Sequence, residues 1–215
     1  MKVETLTVGP LEENCYLVID EATDRAVIID PGDDPERILE ALDASGATLE
    51  SIWLTHAHFD HVGGLAGILR EHPVPVHMHP LDAPLHAQAV DSALRYGIRI
   101  ETPPGASDHL AEGDRMVVGS EELSVMHVPG HAPGHVIFHN ADVVFGGDCL
   151  FAGSIGRTDL EYGDRAALDA SLARIVALGD DLTVYPGHGR ATTIGRERAT
   201  NPFLLGSARL VRVKR

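Results

Sequence analysis

Four side chains that bind metals stand within six residues of one another: His56, His58, Asp60 and His61, in the run Thr55-His56-Ala57-His58-Phe59-Asp60-His61. The run follows a β-branched stretch, Leu49 to Leu54, that reads as a strand. In extended chain, residues i and i+2 point to the same side, so His56 and His58 can share one ion. Asp60 and His61 fall where the chain turns into a helix at Val62, so they diverge and suit a second ion beside the first. Three imidazoles and a carboxylate enclosed together without a cation are costly, so the group reads as a metal site rather than as four loop residues.

Three further clusters repeat the pattern of a ligand-type residue, flanked by glycines, just past a strand. They are His131 and His135 in Pro129-Gly130-His131-Ala132-Pro133-Gly134-His135, Asp148 after Gly146-Gly147, and His188 in Tyr185-Pro186-Gly187-His188-Gly189. Each alone is an ordinary turn motif. Cys15 and Cys149 are the two cysteines, without paired spacing, so neither a disulfide framework nor a CxxC metal knuckle is present. Cys149 reads as packing. His72, His77, His79, His86, His109, His127 and His139 have no motif around them and read as surface or core residues.

The elements that must hold these clusters alternate between strand and helix. Val3–Val8, Asn14–Ile19 and Ala26–Ile29 predict an opening meander. Asp34 reads as an N-cap before Pro35, Ile38, Leu39 and Leu42 form a helical stripe, and Gly46 ends it. Further strands are expected at Leu49–Leu54, Val74–Met78, Leu123–Val128, Val136–His139, Val143–Phe145 and Leu182–Tyr185, with helices at Leu65–Leu69 and Ala166–Leu178. Residues 80–110 give no clear pattern. The mixture predicts one layered α/β domain over residues 1–215, two packed sheets with helices outside.

Composition narrows the function. Of 215 residues, 44% are hydrophobic and 23% charged, enough for a sizeable core. Lys and Arg number 17 against 32 Asp and Glu, a net charge of -15, which repels nucleic acid and anionic lipid at long range. No apolar run approaches a membrane span or a secretory h-region, so a soluble cytoplasmic protein is expected.

The ordered set of HxHxDH, His131, Asp148 and His188 resembles the metallo-β-lactamase superfamily over about Val3 to Leu205. Leu150-Phe151-Ala152-Gly153-Ser154-Ile155-Gly156-Arg157-Thr158-Asp159-Leu160 and Asn201-Pro202-Phe203-Leu204 are similar to the short bacterial glyoxalase II-like branch, the hydroxyacylglutathione hydrolases. The resemblance implies a four-layer αββα sandwich and two divalent ions. His56, His58 and His131 would hold the first, Asp60, His61 and His188 the second, and Asp148 would bridge them. Imidazole and carboxylate without thiolate suit Zn first, and also Fe or Mn. Asp60 and Asp148 are thereby the implied catalytic carboxylates. Asp30 and His135 would support the ligands from behind.

The implied reaction is hydrolysis of a 2-hydroxyacyl thioester such as S-lactoylglutathione, a bridging hydroxide attacking the carbonyl. Arg157, Arg190 and Arg196 are candidates to pair with a substrate carboxylate. The longer glyoxalase II enzymes add a C-terminal helical region for glutathione, whereas this sequence stops at Arg215, which leaves the thiol carrier open. Persulfide dioxygenases, with one Fe(II), carry a similar Gly156-Arg157-Thr158-Asp159 stretch and are the alternative; a lactonase or β-lactamase is a weaker one. The expected partner is a small-molecule thioester, not nucleic acid or membrane.

Overall fold

A computed structural model describes residues 1–206, so the end of the expected domain at 207–215 lies outside the described residues. The first sheet runs β1 (Lys2–Val8), β2 (Glu13–Asp20), β3 (Arg25–Ile29), β4 (Thr48–Trp53), β5 (Val76–Met78) and β6 (Asp108–His109), in that spatial order. Its opening meander is antiparallel and the rest is parallel, because helices cross over between the later strands. The crossovers use α1 (Pro35–Ser45), then α2 (Phe59–Val62) and α3 (Leu65–Glu71), then a 3-10 turn (Pro80–Asp82) with α4 (Ala83–Ala87) and α5 (Ala89–Arg95).

The second sheet is built from β7 (Arg115–Val118), β8 (Glu121–His127), β9 (Val136–His139) and β10 (Val143–Gly147). A small hairpin follows, β11 (Leu150–Phe151) and β12 (Ser154–Ile155). Helix α6 (Arg165–Val176) then leads to β13 (Thr183–Pro186), β14 (Thr192–Thr193) and α7 (Ile194–Thr200). The sheet order is β14-β13-β10-β9-β8-β7, with β10 and β13 parallel.

Alternation along the strands sorts the apolar residues into three cores, which makes four layers. On β2, Cys15, Leu17 and Ile19 face α1 and α3, while Tyr16 and Val18 face the second sheet. Ala26 and Ile28 of β3 face the first helical layer, and Val27 and Ile29 meet Trp53, Val125, Phe138 and Phe145 between the sheets. Ile137 and Val144 point the other way, onto Leu168, Leu172 and Ile175 of α6. The expected αββα sandwich is therefore the fold.

Some local expectations need correction. Asp34 does not cap α1 with its side chain; it sits at φ 47°, and its carboxylate accepts from the Gly9 amide at 3.0 Å. Pro35 at the start and Gly46 at φ 72° bound the helix as predicted. The strand expected from Val74 begins only at Val76, after Pro75. Residues 80–110 hold the 3-10 turn, the short helices α4 and α5, an irregular stretch and the two-residue β6.

Candidate metal centre

Every ligand-bearing loop leaves the C-terminal end of a strand. Parallel pairing of β3, β4 and β5, and of β10 with β13, brings those ends to one edge of the sandwich. His56 and His58 follow β4, His131 follows β8, Asp148 follows β10 and His188 follows β13.

Two triads form there. The ligand atoms of His56, His58 and His131 lie within 4.8 Å of one another, as do those of Asp60, His61 and His188. Asp148 stands between the two. Its Oδ2 is 3.4 Å from His131 Nε2 and 3.7 Å from His188 Nε2, and its Oδ1 is 3.6 Å from His61 Nε2. His58 Nδ1 and His131 Nε2 are 2.9 Å apart. Three of these inward atoms, His56 Nε2, His61 Nε2 and Asp148 Oδ1, are buried without a hydrogen-bond partner. Orphaned buried polar atoms in such number fit a cation, and a set of imidazoles and carboxylates is the donor chemistry that divalent ions take.

The outer nitrogens are fixed. His61 Nδ1 donates to Asp30 Oδ2 at 3.1 Å, His131 Nδ1 to the Arg157 carbonyl at 2.8 Å, and His188 Nδ1 to the Leu11 carbonyl at 3.1 Å. Each bond leaves Nε2 as the lone-pair nitrogen aimed at the centre. Asp30, in the left-handed region at φ 51°, also accepts from Thr55 N at 2.7 Å and Thr55 Oγ1 at 2.6 Å. It also lies within 4.8 Å of His56 and His61, but with both oxygens so engaged it acts as a support. His135 stacks on His56 with ring centres 4.7 Å apart, and its Nε2 accepts from the Asp148 amide at 3.0 Å.

The two triads differ electrostatically. Burial lowers the pKa of His56, His58 and His131, that of His58 to about 3, so the first triad is neutral. Burial also opposes charge on His61, but the Asp30 bond and the carboxylates of Asp148 and Asp60 outweigh it and raise its pKa to about 9. His188 is raised in the same way by Asp60, despite its burial. Asp60, penalised by burial, is nevertheless held well below the usual carboxylate range by His188 and His61.

Four contributors carry no sequence signal of their own. Asp82, fully buried, accepts from Ala57 N at 3.0 Å and from Gly134 N at 2.5 Å, tying together the two loops of the first triad. Asn14 donates to the Pro186 carbonyl at 3.1 Å and the Gly189 carbonyl at 2.7 Å, and the Tyr16 hydroxyl to Pro186 at 2.5 Å, so β2 of one sheet clamps the His188 loop of the other. Glu13 is buried with neither carboxylate oxygen hydrogen-bonded, 3.6 Å from His61 Nδ1. The bare turn motif around Gly187 also gains a reason: a Cβ there would sit 2.2 Å from Asp148 Oδ1.

A cavity of about 680 Å³ opens over the triads, walled by α5, the hairpin and the 157–161 loop. Of the three predicted arginines, Arg157 lines it, with its guanidinium engaged by Asp159 at 2.8 and 2.9 Å. Arg190 and Arg196 are exposed and do not line it. Cys149 is buried against α6, its thiol near the Val128 carbonyl. No described helix is long and apolar enough to cross a membrane.

Comparison with known proteins agrees with this geometry. The family model described as the metallo-beta-lactamase superfamily matches residues 8–188. The hydroxyacylglutathione hydrolase GloC of Haemophilus influenzae is 35% identical over 214 residues, covering 95% of this chain and 98% of that protein. The crystal structure of TTHA1623 in a di-iron-bound form superposes with a TM-score of 0.87 at 46% identity, covering 94% of this chain and all of that one. The BLEG-1 B3 metallo-beta-lactamase superposes with a TM-score of 0.88 at 37% identity, covering 94% and 99%.

Proposed function

Since the chain belongs to the metallo-beta-lactamase superfamily of metallo-hydrolases, we propose that it hydrolyses 2-hydroxyacyl thioesters of the S-lactoylglutathione type at a dinuclear centre. The observation that carries the reading is the placement of Asp148 between two complete triads, with His56 Nε2, His61 Nε2 and Asp148 Oδ1 buried without partners. His56, His58 and His131 would hold one ion and Asp60, His61 and His188 the other, with Asp148 shared; Zn suits the set, and Fe or Mn also do. Bound there, two divalent cations supply a hydroxide at neutral pH and a Lewis acid for the carbonyl.

The chain's own residues do the rest. Asp30, Leu11 and the Arg157 carbonyl keep the ligand rings in one tautomer and orientation. His135 holds the Asp148 backbone. Leu11, Phe59, Tyr96, Phe151, Ile155 and Leu160 give the cavity an apolar wall that excludes water from the thioester. A thiolate leaves without a proton donor, which agrees with a site whose carboxylates are committed to ligation and whose Asp60 stays ionised.

The experiment is loss of the thioester from S-D-lactoylglutathione, with protein loaded with Zn, Fe or Mn and a chelated control. Rapid hydrolysis abolished by chelation, with two ions per chain, supports the proposal. Absence of turnover with every metal refutes it, and one iron per chain with oxygen uptake on glutathione persulfide would put the mononuclear dioxygenase reading in its place.

A further inference from the structure

The cavity is too large for the acyl group alone. Its volume of about 680 Å³ lies within the range of roughly 300–1,000 Å³ in which sites enclose a whole small molecule. A short hydroxyacyl group at the metal end leaves most of that space to the thiol half of the substrate, so what lines the remainder decides which thiol fits.

Apart from the metal ligands, three charged side chains line it: Arg95, Arg157 and Glu161. Arg157 is closed off by its two-point pair with Asp159. Arg95 and Glu161 have no ion pair or hydrogen bond from their side chains to any described residue. They come from separate walls of the cavity. Arg95 is the last residue of α5, a helix anchored by the buried Ala89 and Ala93, and Glu161 lies in the loop that leads from β12 to α6. Tyr96 and Leu160, the immediate neighbours of these two residues, line the cavity with apolar surface. An unpaired guanidinium beside a metal cavity runs against the general charge of this chain, which carries a net -15. Guanidinium groups match carboxylates in shape and charge.

We propose, building on the thioester reading above, that Arg95 and Glu161 form the recognition site for the thiol half of the substrate. The thiol is then of the amino-acid or short-peptide class, carrying a carboxylate for Arg95 and an ammonium for Glu161. A polyphosphorylated carrier thiol satisfies only half of this pair, because it offers a phosphate to Arg95 but no ammonium to Glu161. This assigns to Arg95, rather than to Arg157, Arg190 or Arg196, the task of reading the substrate's anionic end.

The test separates binding from turnover. Binding of glutathione itself is measured on the metal-loaded protein by calorimetry or ligand-observed NMR, which needs no catalysis and therefore stands if the hydrolysis reading fails. Arg95→Gln and Glu161→Gln are each expected to weaken glutathione binding about two- to fivefold, the size of effect a solvent-accessible charge contact gives. Arg99→Gln, an exposed arginine that does not line the cavity, should leave binding unchanged. With lactoyl thioesters, Arg95→Gln should raise KM for the glutathione and 3-mercaptopropionate esters with kcat within about twofold. Glu161→Gln should affect only the glutathione ester, which alone of the two carries an ammonium, and the N-acetylcysteamine ester, uncharged, should not respond to either variant. No glutathione binding by the unaltered protein, or equal binding by all three variants, overturns the proposal, as does an effect of Arg99→Gln as large as that of Arg95→Gln.

Discussion

Asp82→Ala is the most informative single substitution in the scaffold. Asp82 is fully buried and its two oxygens serve two amides, Ala57 N and Gly134 N, in loops that are otherwise joined only near the metal ligands. Ala57 lies between His56 and His58, and Gly134 between His131 and His135. Truncation leaves both amides buried and unpaired, at about 1–3 kcal/mol each, so the expected loss is about 2–6 kcal/mol. For a chain of this length that corresponds to a fall in Tm of roughly 5–20 °C. Urea unfolding of the metal-free protein at neutral pH, followed by circular dichroism, measures it directly. The same variant should bind its first metal ion more weakly than its second, because the loops that Asp82 ties carry the first triad. A loss below about 1 kcal/mol would show that water replaces the carboxylate and that the tie is not structural, and the reasoning would fail.

Five other outcomes are expected. Ligation at His61 requires its Nε2 free of a proton, and the ring titrates at about 9 in the metal-free protein, so the second ion should displace about one proton near neutral pH and the first almost none; calorimetric titration in buffers of different ionisation enthalpy reads this, and equal release at both sites contradicts it. The raised pKa of His61 also means that its contribution to metal-free stability is fully present below about 6.5 and is lost as pH rises through about 9, which a pH series of urea midpoints should show. Asp30→Asn, chosen because asparagine tolerates the left-handed backbone there, should weaken the second metal about 10–100-fold and leave the first nearly intact, as metal analysis after graded chelation would report. Gly187→Ala would place a methyl group 2.2 Å from Asp148 Oδ1, so it should abolish binding of at least one ion while far-ultraviolet dichroism stays native. Chelation of the unaltered protein should lower Tm, since it returns three buried ligand atoms to an unpartnered state, and an identical calorimetric trace with and without chelator would count against the centre.

Much of the site is legible in the sequence because its ligands are local and of rare type. HxHxDH compresses four of them into one turn of chain, and the glycines around His131, Asp148 and His188 mark loops where backbones approach closely. What is not legible acts across long separations. Asp82 reaches residues 25 and 52 positions away, and Asn14 and Tyr16 act on a loop 175 and 170 residues later. A single polar residue in a strand gives no sign that it serves such a distant partner. The elements that escape detection are short ones with little room for a period: the two-residue strands β6, β11, β12 and β14, the four-residue β7, and the helices α4, α5 and α7, five, seven and seven residues long. Asp34 misleads because an acidic residue before Pro35 has the signature of a cap, yet its carboxylate is taken by the Gly9 amide of another loop. One wall of the cavity, with Arg95 and Tyr96, lies in the stretch 80–110, whose pattern is least regular.

Glu13 shows how strongly the centre depends on cations. Its carboxylate is buried without a donor, and burial, followed by the nearby Asp30, Asp60 and Asp148, pushes its pKa well up. A Cβ on Gly32 would lie 2.6 Å from its Oε2 and only 1.8 Å from the Asp60 carbonyl, so only glycine lets the backbone pack this closely against both. Its backbone pairs with His188 and its side chain approaches His61, which puts it against two members of the second triad and none of the first. Four acidic side chains therefore crowd the side of the site where His61 and His188 are raised, whereas the first triad is three neutral imidazoles. In the proposed dinuclear centre the two ions meet different surroundings: three neutral imidazoles and the shared Asp148 for the first, and Asp60, Asp148 and the acids behind them for the second. Binding of the proposed second ion then rests on the acids behind that triad as much as on its ligands.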